Sequence, residues 1–282
     1  MIISGTASQT FAAALARETG RELASVSTER FPDGELSVQL PPSVPDRVVV
    51  VGATVSDAAH LELLLLQDAA RETGATHVTT IIPYLGYARQ ERAFEAGQAV
   101  SARAMARAIA TGTDRVITVD PHEEAVLEFF PFDATAVSAA AQLAPALPEN
   151  LTAPVFVGPD ESARELAATV QRAYGSGSVD HFVKTRADER TVEIAPKETA
   201  VADRDVVLVD DMIATGGTMS EAISLLRDAG ATRIFATCVH PLLTDTARTR
   251  LAQAGVTAVI GTDTIERPES RVSAAPAVAE VM

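Results

Sequence analysis

The segment VVLVDDMIATGGT, residues 206–218, joins an apolar run to an acidic pair and then to a loop of small residues. Four consecutive apolar residues before the acidic pair are typical of a strand that is buried on both faces of a parallel sheet. The small residues 215–218 precede an amphipathic stretch, and backbone N–H groups at the start of a helix favour an anion. The segment therefore predicts a strand, a phosphate-binding loop and a helix.

The acidic pair narrows the predicted ligand. Asp210 and Asp211 would repel a phosphate held beside them, so we expect them to accept hydrogen bonds from sugar hydroxyls. The alternative is an ordinary turn in which Thr218 or Ser220 caps the helix, but a cap does not need two carboxylates. A Walker A loop is excluded because no lysine follows the glycines. The segment favours a ribose 5-phosphate unit.

Strand-like and helical stretches alternate along the whole chain, which predicts an α/β fold. Residues 47–80 resemble residues 205–237 in having a strand, a loop, a helix, a Gly-Ala-Thr turn and a second strand. The chain is therefore predicted to be a duplication, with domains at residues 1–146 and 147–282. The first copy has GATVSD in place of the acidic pair and the small loop, so only the second copy keeps the phosphate chemistry.

Composition excludes several classes of protein. A net charge of -15 argues against sequence-independent binding of nucleic acid. No apolar run approaches the roughly 20 residues of a membrane span, and no basic N-terminal region suggests a signal peptide, so we expect a cytoplasmic protein without a membrane partner. Lysine stands only at positions 184 and 197, and the acidic, arginine-rich composition suggests adaptation to high salt. Cys238 is interpreted as a buried, inert thiol.

Further motifs are weak when each is taken alone. FPDGE would be a turn between two strands, and YARQER a solvated charged segment. His122 ends a predicted strand, where a ligand and a capping residue are equally open interpretations. Lys184 is either a solvated strand end or a catalytic cation. The motifs, in chain order, are RFPDGE (30–35), PYLGYARQER (83–92), DPH (120–122), GPD (158–160) and VKTR (183–186).

Together with the DDMIATGGT loop, these motifs resemble the ribose-phosphate pyrophosphokinase family, archaeal members in particular. The acidic pair and small loop are the signature of the type I phosphoribosyltransferase fold. The resemblance covers nearly the whole chain and implies two tandem duplicated phosphoribosyltransferase-like domains, each a mostly parallel sheet flanked by helices. The first domain would serve nucleotide binding and assembly, and the second would bind ribose 5-phosphate. The chain departs from the family pattern at Ala214, Glu91 and the pair Ser162 and Ala163.

The resemblance implies transfer of the diphosphoryl group of ATP to the 1-hydroxyl of ribose 5-phosphate with Mg2+ as cofactor, in nucleotide biosynthesis. The protein would be a homo-oligomer with its nucleotide site near a subunit contact. The resemblance assigns catalysis to Lys184 and Arg186, ATP binding to Phe31, Asp33, Gly34, Glu35, Arg89 and Gln90, metal binding to His122 and Asp160, and ribose 5-phosphate binding to Arg186, Asp210, Asp211, Ala214, Thr215, Gly216, Gly217 and Thr218.

Two alternatives stay open from the sequence. One is a phosphoribosyltransferase that consumes phosphoribosyl diphosphate with the same loop, which would leave FPDGE, YARQER and DPH unexplained. The other is a catalytically silent regulatory homologue, which we would expect to have lost Lys184, His122 or the DDMIATGGT loop.

Overall fold

A computed structural model describes the backbone of residues 1–186, 192–196 and 199–282 and the side chains of residues 1–183 and 199–282. By internal contacts the chain divides into two compact units. The first consists of Met1–Ser138, Asp263–Glu266 and Ser273–Met282, and the second of Ala139–Thr262 and Arg267–Val272. This division falls earlier than residue 146, and it assigns the last ten residues to the first unit.

The first unit is built on a parallel sheet with the strand order β1-β4-β5-β6-β7. A separate antiparallel hairpin is formed by β2 and β3. Helices lie between the strands in sequence, as the alternation predicts. The elements are β1 (Ile2–Ser4), α1 (Gln9–Thr19), β2 (Ser27–Arg30), β3 (Leu36–Gln39), β4 (Arg47–Val51), α2 (Asp57–Glu72), β5 (His77–Ile82), α3 (Ser101–Ile109), β6 (Arg115–Val119) and β7 (Ala134–Val137), with 3-10 turns at Thr6–Ser8 and Glu124–Phe129.

Helix α2 shows how this sequence specifies its elements. Ser56 caps the helix by accepting a hydrogen bond from the backbone N–H of Ala59 at 3.2 Å. Leu63, Leu66 and Ala70 follow at helical spacing and are buried in the core of the first unit. The cap and the apolar face together place the start of α2 directly after the loop that follows β4.

The second unit has a sheet with the strand order β10-β9-β8-β11-β12-β13-β14. Its pairs are parallel except for β9 with β10. Strand β11 lies in the interior of this sheet, and the apolar run 206–209 is fully buried as predicted. The elements are β8 (Val155–Gly158), α4 (Arg164–Tyr174), β9 (Ser178–Arg186), β10 (Val192–Pro196), β11 (Val206–Met212), α5 (Gly217–Asp228), β12 (Ile234–His240), α6 (Ala247–Ala254), β13 (Ala258–Thr262) and β14 (Ser270–Val272).

Both predicted architectures are confirmed: each unit is a mostly parallel α/β sheet. The chain ends with the short helix α7 (Ala275–Ala279), which belongs to the first unit. Among the described residues, no helix has the length and apolar character needed to cross a bilayer.

Candidate active site

The candidate site lies at the carboxyl end of β11. This strand pairs in parallel with β8 on one side and β12 on the other, with Asp210 opposite Cys238 and Met212 opposite His240. The acidic pair therefore stands at the edge of the sheet where ligands of open α/β folds bind. The sequence prediction of a strand, a loop and helix α5 is confirmed here.

The loop between β11 and α5 is held from outside by the segment that follows β12. The backbone N–H of Leu243 donates to the carbonyl of Ile213 at 2.8 Å, and that of Thr244 donates to Ala214 at 3.0 Å. Leu243 and Asp245 hold positive φ angles of 48° and 51°, which are uncommon for residues with a side chain. The loop is thus fixed by backbone contacts and leaves Thr215 and Thr218 exposed.

Gly216 and Gly217 form the turn into α5. Gly216 adopts φ 73° and ψ 10°, a left-handed conformation that favours glycine. Among the described residues, the backbone N–H groups of positions 215–218 donate to no protein acceptor. Donors of this kind at a helix start favour an anion, and no side-chain cap occupies them.

Three carboxylates gather beside this loop. Burial raises the pKa of Asp210 to about 8, and the neighbouring charges of Asp211 and Asp160 add to the rise. The backbone N–H of Asp211 donates to Oδ1 of Asp210 at 2.9 Å, and that of Met212 donates to Oδ1 of Asp211 at 2.7 Å. The pair is therefore held rigidly, and its accumulated negative charge favours a hydroxyl donor or a cation.

Asp160 occupies the turn that connects β8 to α4. Its Oδ1 atom accepts hydrogen bonds from the hydroxyl of Ser162 at 2.5 Å and the backbone N–H of Ala163 at 3.2 Å. A Cβ on Gly158 would lie 2.9 Å from the carbonyl oxygen of Asp160, so the turn requires glycine there. One carboxylate oxygen thus has a structural role at the start of α4, and the side chain as a whole is exposed.

The predicted catalytic residues Lys184 and Arg186 lie on β9. The register pairs Lys184 with Ile194 and Arg186 with Val192 on β10. Their side chains fall outside the described residues. Their catalytic role stays a prediction.

The predicted nucleotide loop of the first unit is the turn between β2 and β3. The backbone N–H of Phe31 donates to the carbonyl of Glu35 at 2.9 Å, and that of Glu35 donates to Oδ1 of Asp33 at 3.1 Å. Gly34 has φ 93°, as a tight turn requires. The backbone forms the turn that the sequence predicts. The side chain of Phe31 is 54% exposed, which is unusual for a large apolar side chain unless it binds a ligand or another protein surface.

Arg89 and Gln90 lie in the segment between β5 and α3. Arg89 is exposed, whereas Oε1 of Gln90 accepts a hydrogen bond from the hydroxyl of Ser101 at 2.5 Å. Gln90 therefore helps to fix the start of α3. Of this pair, Arg89 has the more accessible side chain.

His122 follows β6 and is exposed. The preceding Asp120 has a positive φ of 32° at the strand end, a position where backbone strain often accompanies function. Within the part of the chain whose side chains are described, no three His, Cys, Asp or Glu side chains form a group able to hold a metal ion.

The corresponding loop of the first unit, after β4, binds its own chain. The hydroxyl of Thr54 accepts from the backbone N–H of Gly86 at 2.7 Å and donates to the carbonyl of Tyr84 at 3.1 Å. A Cβ on Gly86 would lie only 2.2 Å from the carbonyl oxygen of Thr54. The segment after β5 thus fills the position beside this loop, which explains in structural terms why the first copy lacks the phosphate motif.

One residue beside the loop after β11 was not singled out by the sequence. Arg250 on α6 places its Nη1 atom 3.4 Å from a Cβ built on Gly217. Nothing in the local sequence ARTRLAQA indicates this proximity, because it depends on how α6 packs against the loop. Cys238 is fully buried, as predicted, and burial raises the pKa of its thiol.

Comparisons with known proteins agree across the whole chain. Residues 1–112 match the model of the N-terminal domain of ribose phosphate pyrophosphokinase, and residues 135–268 match the phosphoribosyl transferase domain. A ribose-phosphate pyrophosphokinase of Halobacterium salinarum is 55% identical over the full length of both chains. One of Methanopyrus kandleri is 48% identical, covering 95% of this chain and 93% of its own.

A solved structure gives the same result. The phosphoribosylpyrophosphate synthetase of Mycobacterium smegmatis is 28% identical, and the similarity covers 100% of this chain and 96% of that one with a TM-score of 0.83. The two-domain fold, the internal duplication and the full-length identity to transferases of one kind agree with one another. The chain belongs to the ribose-phosphate pyrophosphokinase family.

Proposed function

We propose that this chain transfers the diphosphoryl group of ATP to the 1-hydroxyl of ribose 5-phosphate, giving phosphoribosyl diphosphate and AMP for nucleotide biosynthesis. The hydroxyl oxygen attacks the β-phosphorus, the bond from that phosphorus to the oxygen it shares with the α-phosphorus breaks, and AMP leaves. The observation that carries the proposal is the acidic pair and the anion-binding loop at the end of β11, in a chain of this family.

The second unit would bind the sugar phosphate. Loop N–H groups at 215–218 would hold the 5-phosphate, and Asp210 with Asp211 would accept hydrogen bonds from the ribose hydroxyls. Ala214 contributes its backbone to the same loop, and its carbonyl is fixed by Thr244. Lys184 and Arg186 would balance the charge that develops on the transferred diphosphoryl group.

The first unit would bind the nucleotide. Exposed Phe31 would stack on adenine, while Asp33, Gly34 and Glu35 would supply polar contacts from the same turn. Arg89 would meet the polyphosphate, and Gln90 would support it. We further propose a cytoplasmic homo-oligomer in which this turn lies near a subunit contact, since an exposed aromatic side chain at a turn suits such a contact.

Members of this family are generally Mg2+-dependent, and the residues present fit that ion. Mg2+ prefers oxygen ligands and is commonly bound through one or two carboxylates together with substrate phosphates and water, so it does not need a complete protein cage. Burial raises the pKa of Asp210 and the charges of Asp211 and Asp160 add to the rise, so a bound cation would favour the ionised carboxylate. The family resemblance assigns metal binding to His122 and Asp160, and Mg2+ would neutralise polyphosphate charge.

The test is a labelled assay at high salt with full-length protein, Mg2+, ribose 5-phosphate and ATP labelled at the γ-phosphate. We expect AMP release that depends on the sugar and label that appears in the sugar product. A phosphoribosyltransferase would instead consume phosphoribosyl diphosphate and release diphosphate. Binding without any turnover would indicate the silent homologue and overturn the proposal.

Lys184→Ala is the sharpest variant, and Lys197→Ala is its control because these are the two lysines of the chain. We expect Lys184→Ala to abolish turnover while sparing ribose 5-phosphate binding, and Lys197→Ala to remain active. Loss of binding together with turnover in Lys184→Ala would contradict the catalytic assignment.

A further inference from the structure

We infer that Arg250 binds the 5-phosphate of the sugar substrate as a cation supplied by α6, an inference that rests on the proposed function. Its Nη1 atom lies 3.4 Å from the position that a Cβ on Gly217 would take. Gly217 is the first residue of α5 and carries one of the loop N–H groups. The guanidinium and these donors therefore face the same small volume.

The packing of α6 fixes this arrangement. A Cβ on Gly216 would lie 3.4 Å from Cγ of Leu251 and 3.5 Å from Cβ of Ala247. Ala247, Arg250 and Leu251 share one face of α6, because residues three and four apart are neighbours on a helix. Ala247 and Leu251 thus pack α6 against the loop. Arg250, on the same face of the helix, places its guanidinium beside it.

Arg250 has no competing partner among the described residues: it is exposed and takes part in no ion pair or side-chain hydrogen bond. Arg248 on the same helix differs, since it pairs with Glu269 through bonds of 2.7 and 2.9 Å. The guanidinium of Arg250 is therefore available to a ligand, whereas that of Arg248 is already paired with Glu269.

The negative charge around the loop would disfavour a phosphate unless a cation compensates it. The charges of Asp211 and Asp160 lie close enough to Asp210 to act on its carboxylate, and the whole chain carries a net charge of -15. A dianionic phosphate entering this field meets repulsion that backbone N–H groups alone offset only in part. The planar fork of arginine is well suited to phosphate oxygens.

The experiment compares Arg250→Gln with Arg248→Gln in full-length protein at the lowest salt at which both stay folded, because salt screens exposed charges. Calorimetric titration with ribose 5-phosphate should show binding weakened about tenfold or more in Arg250→Gln and changed less than twofold in Arg248→Gln. Arg250→Lys should fall between wild type and Arg250→Gln.

Steady-state rates separate binding from chemistry. Arg250→Gln should raise KM for ribose 5-phosphate with kcat and KM for ATP nearly unchanged, and unphosphorylated ribose, tested as a weak substrate, should be affected equally little in both variants. Equal ribose 5-phosphate affinity in folded Arg250→Gln and wild type would overturn the inference while leaving the proposed function intact. A wild-type protein that neither binds nor turns over ribose 5-phosphate would overturn the proposed function instead.

Discussion

Gly216 lies against Ala247, with 3.5 Å between the Cβ of Ala247 and the position that a Cβ on Gly216 would take. Gly216 also has φ 73°, a conformation that costs a residue with a side chain about 1 kcal/mol or more. Gly216→Ala should therefore lower the free energy of unfolding by about 1 kcal/mol and raise KM for ribose 5-phosphate, because relief of the backbone strain at positive φ would displace the loop N–H groups. Thermal unfolding and initial rates measure the two effects.

Gly175→Ala is the matched control. Gly175 has φ 89° after α4, and a Cβ there would meet no atom within 4 Å. It should show a similar loss of stability with an unchanged KM. An equal change of KM in both variants would indicate a general effect of instability.

Asp205 and Arg233 form an ion pair with one buried partner. Nη2 and Nε of Arg233 lie 2.5 and 3.0 Å from the carboxylate of Asp205, whose side chain is 1% exposed. Asp205→Asn should lower the free energy of unfolding by about 2–4 kcal/mol, because it leaves buried donors poorly paired. The exposed pair of Arg172 with Glu165 supplies the control, since Glu165→Gln should cost about 0.5 kcal/mol or less.

The same pair predicts a dependence of stability on pH. Burial raises the pKa of Asp205, but the hydrogen bonds from Arg233 and Thr152 and the charge of Arg233 outweigh it and hold the pKa below 3.8. Its contribution is thus complete above pH 3.8 and is lost as the pH falls through the lower folded value. The stability gap between wild type and Asp205→Asn should be constant from pH 7 to pH 5 and shrink below pH 4. A gap that widens in acid would contradict this assignment.

Asp210 should change the stability with pH in the opposite direction from Asp205. Its pKa of about 8 exceeds the ordinary 3.8, so the unfolded chain releases the proton first and stability declines from pH 4 towards pH 8. Asp210→Asn should be more stable than wild type at pH 8 by several kcal/mol, with little difference at pH 4. The same variant should lose ribose 5-phosphate binding. Denaturant unfolding across this pH range tests the first effect, and a difference that is largest at pH 4 would refute it.

Phe31 predicts a separation of the two substrates. Because the ring is exposed, Phe31→Ala should change the free energy of unfolding by about 0.5 kcal/mol or less while raising KM for ATP several-fold. KM for ribose 5-phosphate should not change. Leu61→Ala, at a side chain 58% exposed on α2, controls for loss of an exposed apolar group. Equal effects of Phe31→Ala on both substrates would exclude a role confined to the nucleotide.

The regular elements around the sugar site follow from the sequence because their signals are local. An apolar run, an acidic pair and a glycine turn specify β11 and the start of α5 without help from distant residues. Strand β2 has no apolar pattern of its own, because Ser27–Arg30 is mostly exposed and polar and is defined by its pairing with β3. Ala140–Ala146 forms a 3-10 helix that contains Pro145, whose ring disfavours a continuous α-helix.

Contacts between elements that are distant in the chain could not be predicted from the sequence. The short helix α7 joins the first unit although it follows the second in sequence, and no local pattern indicates this. Arg250 could not be identified from the sequence for the same reason, because its proximity to the loop after β11 depends on the packing of α6 against Gly216. The role of Lys184 rests on the family resemblance, and its prediction awaits the variants described above.

The loop around Thr54 forms hydrogen bonds within its own chain. The two halves of the duplication therefore differ in how far a ligand at this loop would stabilise them. In the first half, this loop bonds its polar groups within its own chain, through Thr54, Tyr84 and Gly86. The second half keeps donors and carboxylates that a ligand would engage, so it gains about 2.7 kcal/mol when free ligand stands at 100 times its Kd. Ligand binding should therefore stabilise the loop after β11, whereas the corresponding loop of the first half needs no ligand to pair its polar groups.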